Sequence, residues 1–490
     1  MTLSSFVEGL AQGQQKADRP NILWLDAEDL SPDLGCYGRS LVHTPNLDRL
    51  ARQGVRYERA FVPCPVCSPS RSAFATGMYP TSIGAHHHRS NRDTPLSELT
   101  KKPVRVITQY LQEAGYFTVN GAALSGGRKG KLDYNFDVNF DEAFDGTQWS
   151  EREPGQPFFA ELHFHETHRG FKADGKRPID PESIELPPYH PDRPLTRADW
   201  ALYLETVQHL DRRVGRVLQK LEDAGIADNT AVFFTGDHGR PMVWGKQWLK
   251  DSGIQIPLIV RWPGRLDGGE VIEGMVSTLD LAPTWLDIAG AQKPDHLQGR
   301  SLLDEDYDGR EYIFASRDRC DATYDRIRCV RTRRYKYIRN FYPWRPYAQF
   351  NEYKMRTDPL ITLLPHLHEK GELEPAEAQF MQPNRPPEEL YDLSEDPHEV
   401  RNLADSPDHE GVLKKLRQEL NDWMCRTGDR GRVPEDPDGD EYTRASNRDE
   451  RQWSNFVDEL GFDPREDRER YLDYWRDRYS RMKDYPKLKS

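Results

Sequence analysis

Cys67-Ser68-Pro69-Ser70-Arg71-Ser72-Ala73-Phe74-Ala75-Thr76-Gly77 sets a thiol one helical turn ahead of a guanidinium, with a proline between them. Pro69 suits the first turn of a helix, where its missing N–H costs little. Cys67 then stands at the helix N-terminus, beside backbone N–H groups and a dipole that favour an anion. Arg71 lies one turn along and can point back to the same spot. Two readings fit: a buried cysteine at a turn, or a reactive centre for an anionic substrate. Upstream, Asp26, Glu28 and Asp29 gather carboxylates behind the apolar run Asn21-Ile22-Leu23-Trp24-Leu25. Such groups repel one another unless a cation lies between them, and hard oxygen ligands suit Ca²⁺ or Mg²⁺. A solvated acidic loop is the other reading. Glu28 and Asp29 form the stronger pair, because Asp26 shares a side with Glu28 only if the extended strand continues that far. Phe233-Phe234-Thr235-Gly236-Asp237-His238-Gly239 is a second apolar run that ends in a glycine turn with polar groups.

The elements that must position these groups alternate in type. The run at 21–25 reads as a buried strand delivering polar groups at its C-terminal end. Further strands are expected at 116–120, 158–164, 230–235 and 256–262, and helices at 45–51, 104–114, 199–224 and 278–289. The long helix carries Val207, Leu210, Val214, Val217 and Leu221 at the spacing of a core-facing stripe. This alternation predicts an α/β domain with a mostly parallel sheet, whose ligands sit at the carboxyl ends of the strands. Near residue 309 the pattern changes. Short strand-like segments at 311–316, 327–331 and 335–341 predict a smaller antiparallel sheet, closed by a helix at 411–426. Of the final 60 residues, 29 are charged, which alone suggests a solvated tail. Nine aromatics, among them Trp453, Phe456, Tyr474 and Trp475, favour instead a helical extension packed on the body. The expected organisation is a catalytic domain over 19–308, a smaller domain over 309–430 and the extension over 431–490.

Composition narrows the function classes. With 68 Lys and Arg against 81 Asp and Glu, the chain of 490 residues carries a net charge of −13, which speaks against non-specific nucleic-acid binding. A local basic pocket for an anionic substrate remains compatible with an acidic body. No run approaches the roughly 18 apolar residues of a membrane span. Six cysteines are too few for a disulfide scaffold, and Cys64-x-x-Cys67 lacks the second pair a zinc site needs. The first twenty residues lack a basic n-region and an apolar h-region. The chain therefore reads as cytoplasmic, or as periplasmic or secreted if a leader has been trimmed.

C-S-P-S-R followed by T-G resembles the signature of sulfatases that use formylglycine. Pro20-Asn21-Ile22-Leu23, Leu34-Gly35-Cys36-Tyr37-Gly38, Thr44-Pro45-Asn46-Leu47-Asp48 and Glu389-Leu390-Tyr391-Asp392-Leu393 fall where that family has similar blocks. The resemblance covers roughly 19–426. It implies an alkaline-phosphatase-like α/β domain with a smaller C-terminal α+β domain. It also implies sulfate hydrolysis by a formylglycine that a separate formylglycine-generating enzyme makes from Cys67. Glu28, Asp29, Asp237, His238 and the converted Cys67 would hold a cation, Ca²⁺ first, with Mg²⁺ or Mn²⁺ as alternatives. The family usually has Asp-Asp where this chain has Glu28-Asp29, and His238 weakens a strict calcium assignment.

The same resemblance assigns roles to Arg71, Lys131, Lys250 and His168, and position and residue type add the other candidates. Arg71 would steady the formylglycine, and Lys131 and Lys250 would neutralise the sulfate. His168 would protonate or orient the leaving atom, with His163 and His165 as weaker candidates. Lys131 follows a glycine-rich insertion at 121–130, and Asp133 stands where the family has a histidine, which suggests a substrate-facing role. In Gly84-Ala85-His86-His87-His88-Arg89, His87 and Arg89 are candidates for substrate contact, whereas a metal held by His86 and His88 would lack further ligands. The segments 158–169 and 199–225 look closest to sulfamidases and sulfatases of sulfated glycans. The expected substrate is a sulfated carbohydrate, cleaved at O–S or N–S. The alternatives are a phosphonate monoester or phosphodiester hydrolase of the same superfamily, and a glycan-binding relative without catalysis.

Overall fold

The computed structural model describes residues 19–482 except 102 and 437; the segment read above for a leader lies outside them through residue 18, as do 483–490. Seven strands form the larger sheet: β1 (Asn21–Ala27), β2 (Val55–Phe61), β3 (Phe117–Ala122), β4 (Phe158–Phe164), β5 (Thr230–Gly236), β6 (Gln255–Arg261) and β7 (Glu270–Ser277). Their order is β3-β4-β1-β5-β6-β2-β7. β6 runs antiparallel to both its neighbours; the other pairs are parallel. β2 and β7 were not anticipated. β2 interleaves Arg56, Glu58 and Arg59 with apolar residues, and β7 is an edge strand with an exposed first half.

β1 is central and buried throughout, as a strand covered on both faces must be. Its alternating side chains divide the core. Leu23 and Leu25 pack toward Val207, Leu210, Val214, Val217 and Leu221 of the long helix Pro194–Asp223. That helix begins before the expected 199, with Pro194 in its first turn. Ile22 and Trp24 pack on the other side with Phe74 and Trp285. The Trp24 ring lies 4.8 Å from Phe74 and 4.9 Å from Trp285, which seats the helix Cys67–Thr76 against the sheet.

A second sheet, β11-β10-β9-β8, is antiparallel throughout and comprises β8 (Ile313–Arg317), β9 (Ile327–Arg331), β10 (Tyr335–Asn340) and β11 (Glu388–Asp392). The helix Glu410–Arg426 presents Leu413, Leu416, Leu420 and Trp423 to it. The final stretch forms the helices Asp440–Leu460 and Arg468–Ser480. Their Trp453, Phe456, Tyr471, Trp475 and Tyr479 belong to the same core cluster as the long helix. Among the described residues, no helix is long and apolar enough to cross a membrane.

Candidate active site

β1 and β5 run side by side, with Ala27 opposite Gly236, so the residues after each strand arrive at one place. The Asp237 N–H donates to the Ala27 carbonyl at 2.9 Å, and the Asp29 N–H donates to Asp237 Oδ1 at 2.9 Å. Asp29 holds a φ of 52°, a region that residues with a Cβ rarely occupy and that clusters at functional sites. The helix Cys67–Thr76 points its N-terminus here, and its N-cap, Val66, supplies no side-chain cap. Ser70 Oγ donates to the Asp237 carbonyl at 2.6 Å. Arg71 bridges Asp26, at 2.6 Å, and Asp237, at 3.0 Å.

Asp29, Cys67, Asp237 and His238 thereby bring one potential ligand atom each within 4.8 Å of one another, and all four side chains are buried. His238 Nε2 is 3.2 Å from Cys67 Sγ and 3.2 Å from Asp29 Oδ1. Its Nδ1 lies 2.9 Å from the Gly239 carbonyl; donation there leaves Nε2 to face the cluster. Burial disfavours the charged imidazole, but Asp237, Cys67 and Asp29 outweigh it and raise the His238 pKa to about 9. Burial likewise opposes ionisation of Asp29, yet Lys246, His168 and His238 hold its carboxyl well below the usual range.

Glu28 stands beside this cluster rather than in it. The chain turns after Ala27, with Asp29 at its left-handed φ, and Glu28 Oε1 lies 2.9 Å from Lys131 Nζ, 2.9 Å from His165 Nδ1 and 3.7 Å from Arg71. Burial raises its pKa, but the Lys131 charge, the hydrogen bond from His165 and the Arg71 charge prevail and lower it well below the ordinary value. The strand does run through Asp26, which is fully buried against Arg71 and His163.

Lys250 is not at the nucleophile. Its ammonium donates to the Glu399 carbonyl within a box of Trp244, Tyr391 and Tyr189 rings, 4.4, 5.3 and 5.5 Å away. Lys246 takes the expected place, with Nζ 2.9 and 3.0 Å from the Asp29 oxygens and 3.3 Å from Cys67 Sγ. Both lysines follow the same strand, so linear spacing could not separate them. The distinguishing feature is tertiary: the Gln247 N–H donates to the Pro65 carbonyl at 2.8 Å, pinning this loop beside Cys67. Trp244 and Gln247, flanking Lys246, both have positive φ, 67° and 81°.

His168 Nε2 lies 3.4 Å from the Tyr353 hydroxyl, and burial holds its pKa down. Tyr353, which comes from the unanticipated helix Glu352–Thr357, is also covered by Lys246 Nζ at 5.2 Å from its ring centroid. Lys131 Nζ is 3.3 Å from Asp133, which also pairs with Arg92. Against burial, these two cations hold the Asp133 pKa at about 2. The Arg89 N–H donates to Ser68 Oγ at 2.9 Å, and its half-exposed side chain turns to Asp321. His87 is largely turned inward: its Nδ1 accepts from the Arg319 N–H at 3.3 Å.

The sulfatase family model matches residues 20–291, and the N-sulphoglucosamine sulphohydrolase C-terminal model matches 236–362. The chain belongs to the sulfatase family. As a sulfatase, it is 36% identical over 468 residues to an ulvan-active sulfatase of Formosa agariphila, covering 85% of this chain and 77% of that one. It is 30% identical over 480 residues to the N-sulphoglucosamine sulphohydrolase of Homo sapiens, covering 86% and 93%. Among solved structures, a 2-O GAG sulfatase superposes with a TM-score of 0.60 at 25% identity, covering 86% and 95%. A phosphonate monoester hydrolase from Silicibacter pomeroyi, 20% identical, shares the fold with a TM-score of 0.60. This sulfatase is thus a sulfuric ester hydrolase with the alkaline-phosphatase-like fold.

Proposed function

We propose that this sulfatase releases O- or N-linked sulfate from a sulfated polysaccharide, with a formylglycine at position 67 and a divalent cation, Ca²⁺ in first place. The observation that carries this reading is Cys67 Sγ, 3.2 Å from His238 Nε2 and 3.3 Å from Lys246 Nζ at a helix N-terminus. The donor set fits a cation: two aspartates and an imidazole whose second nitrogen is engaged by a carbonyl, all converging within 4.8 Å. When bound, the cation supplies Lewis acidity toward a sulfate oxygen. Oxidation of Cys67 by a formylglycine-generating enzyme supplies an aldehyde, whose hydrate has one hydroxyl to attack sulfur and another to expel sulfate.

The chain's own residues do the rest. Asp26 and Asp237 clamp Arg71, which holds position 67 in line. Lys246 and Lys131 bring positive charge to the nonbridging oxygens, where it counts most in a buried site. His168, beside Tyr353, holds or moves a proton at the leaving oxygen or nitrogen. Arg89, Arg92 and Asp133 face the carbohydrate. The names of two relatives, an ulvan-active sulfatase and an N-sulphoglucosamine sulphohydrolase, support a carbohydrate substrate.

Sulfate release by ion chromatography tests this, on protein whose aldehyde at position 67 is verified by peptide mass spectrometry. Ulvan oligosaccharides, N-sulfated heparin oligosaccharides and a phosphate diester form the panel. Sulfate is expected from a sugar and none from Cys67→Ala. Diester cleavage without sulfate release overturns the proposal.

A further inference from the structure

Beyond the site, the helix Asp440–Leu460 and the segment 322–350 enclose a groove of about 540 Å³. The helix lies outside both regions matched by the family models, so this wall is an addition to the part of the chain they describe. It is also firmly built, because Trp453 and Phe456 on its inner side join the main core.

A continuous set of contacts runs from the nucleophile to this groove. The Arg89 N–H donates to Ser68 Oγ, next to Cys67, and the Arg89 guanidinium reaches Asp321 at 3.5 Å. Arg448 of the extension reaches the same Asp321 oxygen at 2.9 Å. The next residue of each segment completes the link: the Ala322 N–H donates to Asp449 Oδ2 at 2.9 Å, and both residues line the groove.

The lining is suited to sugars. Phe350 is 45% exposed; Arg465 lies over its ring at 5.5 Å and Trp453 packs against it at 5.3 Å, and the uncovered part of the ring offers apolar surface to a pyranose. Arg345 supplies a planar guanidinium, positioned by donation from its Nε to Gln349 Oε1 at 2.9 Å, while Gln349 Nε2 donates to Asp325 at 3.0 Å. Arg465 is paired with Asp463, and Asp449 with Arg448. Arg345 makes no ion pair among the described residues and can receive a sulfate or carboxylate; the exposed Glu450 can receive hydroxyls.

Resting on the proposed function, we infer that this groove is an extended subsite for the sugars adjoining the one that loses its sulfate, with Phe350 and Arg345 as its contacts. The enzyme then prefers chains to their shortest fragments.

Titration calorimetry on catalytically silent Cys67→Ala separates this inference from the reading it rests on. The probes are two-sugar and six-sugar fragments of ulvan and of heparin. One polymer's six-sugar fragment is expected to bind about tenfold tighter than its two-sugar fragment. Phe350→Ala and Arg345→Ala, each made in the Cys67→Ala background, are expected to erase that gain; folding is verified by circular dichroism. Equal affinities for the two lengths, no binding of either polymer, or a length gain that survives both substitutions overturns the groove. Lack of sulfate release by the matured wild type overturns the proposed function instead, whatever the calorimetry shows.

Discussion

Around Cys67 Sγ, an imidazole at 3.2 Å and an ammonium at 3.3 Å stand nearer than the closest Asp29 oxygen, at 4.0 Å. Negative charge developing there meets preorganised positive charge in a buried setting, the arrangement that contributes most to anionic transition states. Lys246→Ala is therefore expected to lower kcat/KM for 4-nitrophenyl sulfate by about 10²–10³-fold. Lys250→Ala should act differently, because its ammonium fills an aromatic box against Glu399. We expect a loss of roughly 2 kcal/mol in chemical denaturation, with the activity of the folded fraction retained. A reversal of the two phenotypes would refute the placement of these lysines. Removal of the cation is the third test at this scale. Dialysis against EDTA should cut sulfate release by about 10²-fold or more, and Ca²⁺ should restore it; undiminished activity in EDTA would remove the cation from the mechanism.

At the scale of elements, the loops after β1, β4 and β5 meet because those three strands are adjacent and parallel, and the nucleophile helix is locked over them by Trp24, Phe74 and Trp285. The start of the long helix is held by a different device. His190, just before it, is buried; its Nε2 lies 3.0 Å from the Val243 carbonyl, while its Nδ1 accepts from Trp200 Nε1 at 3.0 Å. This pattern requires a neutral ring, and burial lowers its pKa to about 3. Because the folded pKa is depressed below the unfolded value near 6.5, the unfolded chain binds more protons between these values. The stabilisation is thus present above about pH 6.5 and lost as pH falls toward 3. Between pH 6.5 and 4.5, wild type should lose about 2 kcal/mol more than His190→Phe in urea denaturation. Parallel losses in the two proteins would show that the ring is not held neutral.

For the whole molecule, the charged extension acts as part of the core. Trp475 is 2% exposed within the central cluster, and the Tyr479 hydroxyl donates to Asp199 at 2.5 Å. Asp199 in turn receives two hydrogen bonds of 2.8 Å from Arg169, the neighbour of His168. The helix Arg468–Ser480 is thereby linked to the active-site loop. Trp475→Ala is expected to cost about 3–5 kcal/mol, read by urea denaturation; a change under 1 kcal/mol would mean that the helix Arg468–Ser480 only decorates the surface.

Much of this was legible in the order of residues, for a physical reason in each case. β1 announces itself by the apolar run Ile22-Leu23-Trp24-Leu25, and the long helix by its apolar stripe. Cys67 and Arg71 carry their meaning in a local spacing that one helical turn makes functional. The amphipathic β2, the edge strand β7 and the helix bearing Tyr353 lack such local signals, since neighbours distant in sequence supply their partners. The choice between Lys246 and Lys250, the setting of Glu28 beside the cluster and the inward turn of His87 follow the same rule. Local sequence determined which groups reach the ends of which strands, because helix and strand periodicity act over a few residues. Only the tertiary structure decided which of them meet at Cys67, because that depends on strand order and on loops pinned by contacts such as Gln247 to Pro65.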